Sequence, residues 1–148
     1  MTKLQSDSIL VVLLQISTIG FIIISGPGLP VNPVFYVPLL AAIGLIAWAV
    51  WELYQNSLFS LKAKVRKGAR LVTTGPYQYI RNPMYTGYLL FALSLVLDYF
   101  SWFRLMLWLI LASTIFLQVS VEEQSLHEHF PDYAKYKRKT KSLFPFLY

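Results

Sequence analysis

The chain has 148 residues, of which 56% are hydrophobic and only 14% are charged, and its mean hydropathy is +0.53. Soluble domains carry about 25% charged residues, so this composition excludes a disordered chain and an ordinary soluble enzyme. It predicts one integral membrane domain, residues 1–148. The lack of cysteine excludes disulfides and thiolate metal sites. His127 and His129 are two residues apart and cannot share a helix face, so we expect no metal site.

Two apolar segments precede the first cluster of charge. No charged residue occurs between Ser8 and Trp51, and this run is long enough for two helices that each need about 20 apolar residues to cross a bilayer. The Gly and Pro residues of 26–33 predict a turn between them, so we expect spans at about 8–25 and 34–54. The first stretch is too long for a cleaved signal peptide, and no small-residue cleavage site follows it.

Two later apolar runs predict further spans at about 84–97 and 105–121. The link between them is short, so these spans should form a tight helical hairpin, with Asp98 and Arg104 pairing across it. After residue 121 the helix should continue as far as Pro131, and a short amphipathic helix should follow. The predicted fold class is therefore all-α, a polytopic membrane protein with four transmembrane helices, a helical hairpin and a cytoplasmic C-terminal helical segment.

The basic residues predict the topology. With four spans, 12 of the 13 Lys and Arg residues fall on one side of the membrane and only Arg104 falls on the other. Because basic loops stay in the cytoplasm, both termini and the 55–81 loop should be cytoplasmic. The basic cluster at 135–141 is expected to contact anionic lipid headgroups.

The segment 71–87 is the first candidate for chemistry. Pro83 suits the first turn of a helix, so the third span should start there and present its free N–H groups and positive dipole end to the loop. Such a helix start binds carboxylates and phosphates, and the rings of Tyr77 and Tyr85 could hold a cation. The alternative interpretation is that these tyrosines and Arg81 only anchor the helix at the headgroups.

Two adjacent carboxylates follow the fourth span and form the second candidate. Side chains of consecutive helical residues point about 100° apart, so only one of Glu122 and Glu123 can face a given site. Glu122 shares a face with Gln118 and is the one we expect there. Ionisable groups at membrane depth are functional candidates, although a solvated helix end is the alternative. Glu52 is expected to reach toward the membrane surface or to pair with basic residues of the loop, with a substrate role as the alternative.

Three segments resemble the motifs of one superfamily. L-V-T-T-G-P-Y at 71–77 and R-N-P-M-Y-T-G at 81–87 resemble the L-V-T-x-G-x-Y…R-[HN]-P-x-Y-x-G pattern of the isoprenylcysteine carboxyl methyltransferase and phospholipid methyltransferase superfamily. The segment from Glu122 to Pro145 resembles its C-terminal pattern, E-E-x-x-L…F-G-x-x-Y-x-x-Y…P. The resemblance covers about residues 69–146.

The resemblance implies a membrane enzyme that transfers a methyl group from S-adenosylmethionine to a lipid or lipid-like acceptor entering from the bilayer. In that superfamily the cofactor lies on the cytoplasmic side, here within regions 69–85 and 118–136. Carried over by position, the cofactor-binding residues would be Ala69, Arg70, Leu71, Val72, Tyr77, Asn82, Pro83, Met84, Tyr85 and Glu122. The resemblance names no general base, and we assign no catalytic residue.

Departures from the pattern bear on the acceptor and the source. Asn82 replaces the His of the R-H-P form, as in bacterial members, which implies the bacterial inner membrane. Gln118 stands where eukaryotic carboxyl methyltransferases place an Arg that contacts substrate, so Gln118 is the candidate substrate residue and the acceptor group stays open. Two alternatives remain: an NADPH-dependent membrane reductase of the sterol-reductase type, whose 2′-phosphate the basic 62–70 loop could hold, and a non-catalytic membrane scaffold.

Overall fold

The computed structural model describes residues 3–56 and 71–144. Its α-helices are α1 (Lys3–Ile24), α2 (Tyr36–Gln55), α3 (Pro83–Asp98), α4 (Trp102–His129) and α5 (Tyr133–Lys139). Short 3-10 turns cover Pro33–Phe35 and Gly75–Gln78. In the described ranges no strand forms, and a parallel bridge joins Ile80 to Lys141. The all-α prediction is confirmed, including the continuous helix through Glu122 and the short helix after Pro131.

Local sequence signals explain where the helices begin. Gly28 adopts a φ of 81° in the turn after α1, a conformation that glycine allows and L side chains disfavour. Asn32 then accepts a hydrogen bond from the Val34 N–H at 3.0 Å, which opens the turn into α2. Pro83 begins α3, and the Ser101 hydroxyl accepts from the Arg104 N–H at 3.2 Å to cap α4.

Two of the helical segments are long and apolar enough to cross a membrane. They are Pro33–Gln55, with 23 residues, and Trp102–His129, with 28. The other apolar helical segments, Ile9–Ile24 and Pro83–Asp98, are shorter. The four helices thus occur where the sequence predicts them, and the prediction that all four cross the membrane stays a prediction.

Helix α3 lies at the centre of the fold, because it contacts α1, α2 and α4. The Trp108 indole of α4 donates to the Leu89 carbonyl of α3 at 3.0 Å and fixes the hairpin. Many large apolar side chains on the outer helix faces are exposed, among them Leu40, Trp51 and Leu117. Exposed apolar surface on this scale is typical of a face covered by lipid or by another protein. The buried core consists of Ile22, Leu39, Leu89, Ala92, Leu95, Val96, Leu111, Ala112, Ile115, Val119 and Leu143.

Helices α2 and α3 pack closely at Gly87. A Cβ atom added there would lie 2.4 Å from Ile46 Cγ1 and 3.2 Å from the Ala42 carbonyl oxygen. Small residues allow such close backbone approach between apolar helices. Tyr85 lies on the same helix, two residues before Gly87. Its distance from α2 therefore depends on this glycine.

The predicted ion pair between Asp98 and Arg104 is wrong. The Asp98 carboxylate accepts from the backbone N–H groups of Val31 and Asn32, both at 2.8 Å, and so ties the α1–α2 turn to the end of α3. Arg104 is buried and donates to the Leu95 carbonyl at 2.8 Å. Backbone groups in a turn without helical partners need acceptors, and Asp98 supplies them instead of pairing across the hairpin.

The contact at Gly87 yields a stability prediction. Gly87→Ala should lower the free energy of unfolding in detergent by about 1–3 kcal/mol, because Ile46 must move and α2 must shift. Gly44→Ala is the matched control: its added Cβ meets nothing within 4 Å, and better helix propensity should raise stability by up to about 1 kcal/mol. Thermal unfolding of the two variants in the same micelle would contradict the packing account if Gly87→Ala were the more stable.

Candidate functional site

The start of α3 and the end of the apolar part of α4 meet at Glu122. The Tyr85 hydroxyl donates to Glu122 Oε1 at 2.7 Å, and the Gln118 amide donates to the same oxygen at 2.9 Å. Gln118 is buried, while Tyr85 and Glu122 are half-buried. Two donors on one oxygen fix the carboxylate in a single orientation beside the first turn of α3.

Tyr77 lies in the Gly75–Gln78 turn, near this carboxylate. Its carbonyl accepts from the Tyr136 hydroxyl at 2.6 Å. Burial raises the pKa of Tyr136 to about 12, so this hydroxyl stays protonated and able to donate. Burial also raises the pKa of Tyr77, and the negative charges of Glu122 and Glu52 act in the same direction. Both carboxylates therefore lie near the buried tyrosine.

Glu52 joins α2 to the segment 71–82 that precedes α3, which we call the motif loop. The Thr74 hydroxyl donates to Glu52 Oε1, and Asn56 donates to the same oxygen at 3.3 Å. Gly75 has a φ of 59°, and an added Cβ would lie 2.6 Å from Glu52 Oε2, so both the backbone and the close approach require glycine. Among the basic loop residues expected to pair with Glu52, Arg81 pairs with Glu123 instead, and the others lie within 57–70, outside the described residues.

Sequence reasoning did not propose Tyr88 as a site residue. Its ring meets that of Tyr85 edge to face, with centroids 6.2 Å apart. The signal was present, since residues three apart on a helix are neighbours on one face. Tyr88 therefore extends the aromatic surface of the site by one turn of α3.

Glu123 faces away from Glu122 and is buried, as expected of consecutive helical residues. Its Oε1 accepts from Arg81 Nε at 2.9 Å, from the Ser142 hydroxyl at 2.9 Å and from the Asn82 amide at 3.3 Å. Its Oε2 lies 3.1 Å from Lys137 Nζ. A buried carboxylate with this many donors is fully compensated, so Glu123 has a structural position and Glu122 is the carboxylate beside the tyrosines.

The C-terminal segment holds the motif loop in place. The Arg81 N–H donates to the Lys141 carbonyl at 2.8 Å, and the Asn82 N–H donates to the Ser142 carbonyl at 3.1 Å. Leu143 follows, fully buried in the core. Residues far apart in sequence thus form a short strand-like pairing that fixes the start of α3.

The predicted site residues divide into three groups. Tyr77, Tyr85, Gln118 and Glu122 come together. Asn82 is buried, and its side-chain amide is directed to Glu123 and Ser142. The third group holds the remaining predictions. Pro83 is buried at the start of α3 and Met84 is half-buried beside it, while Leu71 and Val72 are half-buried where the second described range begins. Ala69 and Arg70 lie outside the described residues.

The residues present fit the groups of S-adenosylmethionine by their chemistry. The start of α3 has no side-chain cap, so its first-turn N–H groups suit a carboxylate. The Glu122 carboxylate suits an ammonium group or sugar hydroxyls. The rings of Tyr77 and Tyr85 suit a purine or a sulfonium cation. These groups therefore suit a molecule that carries a negative charge, a positive charge and an aromatic base.

The Glu123 cluster yields a prediction on stability. Glu123→Ala should lower the free energy of unfolding by about 3 kcal/mol, because it leaves the buried Arg81 guanidinium without its carboxylate. Glu128→Ala is the matched control on the same helix, since Glu128 is exposed and bonded to Gln124, and it should change stability by less than about 0.5 kcal/mol. Equal thermal unfolding of the two variants in detergent would contradict a structural role for Glu123.

Comparisons with known proteins agree with the motifs. A family model described as phospholipid methyltransferase matches residues 35–133, from the turn before α2 to the first residue of α5. A comparison with curated proteins finds no match. The matched region includes Tyr77, Tyr85, Gln118 and Glu122 but ends before Tyr136 and the C-terminal segment, and it confirms the resemblance seen in the sequence motifs. The chain belongs to the phospholipid methyltransferase family.

Proposed function

We propose that this protein is an integral membrane methyltransferase that uses S-adenosylmethionine and acts on a lipid or lipid-like acceptor. Family membership implies methyl transfer to lipids. The single observation that supports the cofactor is the Glu122 carboxylate, held by Tyr85 and Gln118 beside the uncapped start of α3.

The side chains at the site bind and orient. When bound, S-adenosylmethionine supplies a methyl group activated by its sulfonium charge. Glu122 would bind the ammonium or ribose hydroxyl groups, and the first-turn N–H groups of Met84 and Tyr85 would bind the carboxylate. Transfer of a methyl group in line depends on proximity and orientation more than on proton transfer. The rigid hydrogen bonds on Glu122 Oε1 supply that orientation, and the proposal needs no general base.

The proposed arrangement in the membrane has four crossing helices, with both termini and the 55–81 loop in the cytoplasm. Exposed apolar side chains on α1, α2 and α4 support contact with lipid. The site then lies where α4 passes from apolar residues to Glu122 and Glu123, at the membrane surface. A polar cofactor can reach this level from the cytoplasm, and an acceptor can reach it from the bilayer.

Cofactor binding is the first test. Titration calorimetry of the detergent-purified protein should show binding of S-adenosylmethionine and S-adenosylhomocysteine but not of NADPH. Glu122→Ala should weaken that binding by about 10- to 100-fold, because a hydrogen bond to a charged group contributes about 1.5–3 kcal/mol. Glu128→Ala, on the same helix, should bind like the unmodified protein.

Each contrary outcome points to a different function. Binding of NADPH alone would replace the proposal with a membrane reductase. Binding of none of the three, with and without added phospholipid, would favour a non-catalytic scaffold. Unchanged binding by Glu122→Ala would remove Glu122 from the cofactor site while leaving the activity open to a methyl-transfer assay.

Gln118 is proposed to contact the acceptor, and this has its own test. Gln118→Leu should raise the KM for a lipid acceptor by about fivefold to tenfold, since one hydrogen bond contributes about 1–1.5 kcal/mol. The Kd for S-adenosylhomocysteine should change less, because Tyr85 still holds Glu122. An equal or larger change in the cofactor Kd would show that Gln118 acts only through Glu122.

A further inference from the structure

Helix α5 divides into a buried aromatic side and an exposed basic side. Tyr133 and Tyr136 are buried against the rest of the protein. The basic side chains of the helix, and that of Lys141 two residues beyond its end, all lie exposed, and we call them the α5 basic face: Lys135, Lys137, Arg138, Lys139 and Lys141. No acidic residue occurs between Tyr133 and Phe144. A face of this charge suits an anionic surface.

The level of this face along α4 can be located from one contact. Lys137 Nζ lies 3.1 Å from Glu123 Oε2. Two residues before Glu123 on α4 lies Val121, an apolar residue with 53% of its surface exposed. Two residues correspond to about 3 Å along a helix axis. The headgroup layer on each side of a bilayer is about 5–8 Å thick. If Val121 faces lipid chains, the α5 basic face is at the depth of the phosphates.

A hollow on this side of the molecule has the same character. It is lined by Arg81, Glu123, Lys137, Thr140 and Lys141. Three cations line it against one carboxylate, so an excess of positive charge remains after Glu123 pairs with Arg81 and Lys137. The backbone of Lys141 is fixed at this hollow, because its N–H donates to the Tyr79 carbonyl at 3.1 Å.

We propose that the α5 basic face, together with the hollow that Lys141 lines, binds the phosphate groups of anionic phospholipids. This inference goes beyond methyl transfer and depends only on insertion of α4 into the membrane. Anionic lipid near the surface attracts each Lys or Arg side chain, so the interaction would press α5 onto the membrane. Because α5 is joined to Tyr77 through Tyr136, bound lipid would also stabilise the motif loop.

The test measures lipid selectivity without any cofactor, so failure of the methyltransferase proposal would not affect it. The protein is reconstituted in phosphatidylcholine bilayers, and spin-labelled phosphatidylglycerol is compared with spin-labelled phosphatidylcholine by electron paramagnetic resonance. We expect phosphatidylglycerol to be favoured by about threefold or more. The triple variant K135Q/R138Q/K139Q should lose most of this preference; it leaves Lys137 on Glu123.

Two controls keep the outcome decisive. The charge-conserving variant K135R/R138K/K139R should retain the preference, and both triple variants should unfold at the same temperature in detergent. If the Gln variant unfolds at a lower temperature, the unmodified protein is measured in 1 M salt instead. A lipid preference that arises from surface charge should vanish there, because the screening length is about 3 Å. A preference unchanged in the folded Gln variant, or one that survives 1 M salt, would overturn the proposal, and so would the absence of any preference in the unmodified protein.

Discussion

The buried carboxylate of Glu123 joins the parts of the structure on which the site depends. It lies on α4, it pairs with Arg81 of the motif loop at 2.9 Å, and it meets Lys137 of α5 at 3.1 Å. A buried ion pair is costly to form unless further hydrogen bonds satisfy it, and Ser142 and Asn82 supply them. Because these donors come from both sides of the hairpin, their loss would release the motif loop and the C-terminal segment together.

Of the two adjacent glutamates, Glu123 stabilises the fold and Glu122 lies in the candidate site. Consecutive helical side chains diverge by about 100°, so α4 can direct Glu123 into the protein and Glu122 toward the tyrosines. The same geometry gives Glu123 charged partners and Glu122 neutral ones. Arg81 is taken up by Glu123, and Glu122 is bound by the neutral donors Tyr85 and Gln118. Glu122 thereby keeps a negative charge that none of these partners neutralises.

Helix α3 brings the separate contacts to one place. Gly87 lets it approach α2, whose Glu52 holds Thr74 and the loop before the site. At its opposite end Asp98 holds the turn between α1 and α2. The helix that carries the R-N-P-M-Y-T-G segment is thus fixed at both ends, which suits a site whose chemistry depends on orientation.

Local patterns in the sequence are enough to predict the helices, their turns and the regions that carry the motifs. Apolar runs and Gly/Pro clusters act locally, so they located all four long helices, and the i,i+4 rule placed Gln118 with Glu122 on one face of α4, where they hydrogen-bond. The partners of Asp98, Asn82, Glu52 and Glu123, by contrast, follow from the packing of the helices. Those contacts join residues as far as 67 positions apart, and no local periodicity specifies them, because they depend on how the helices pack around α3.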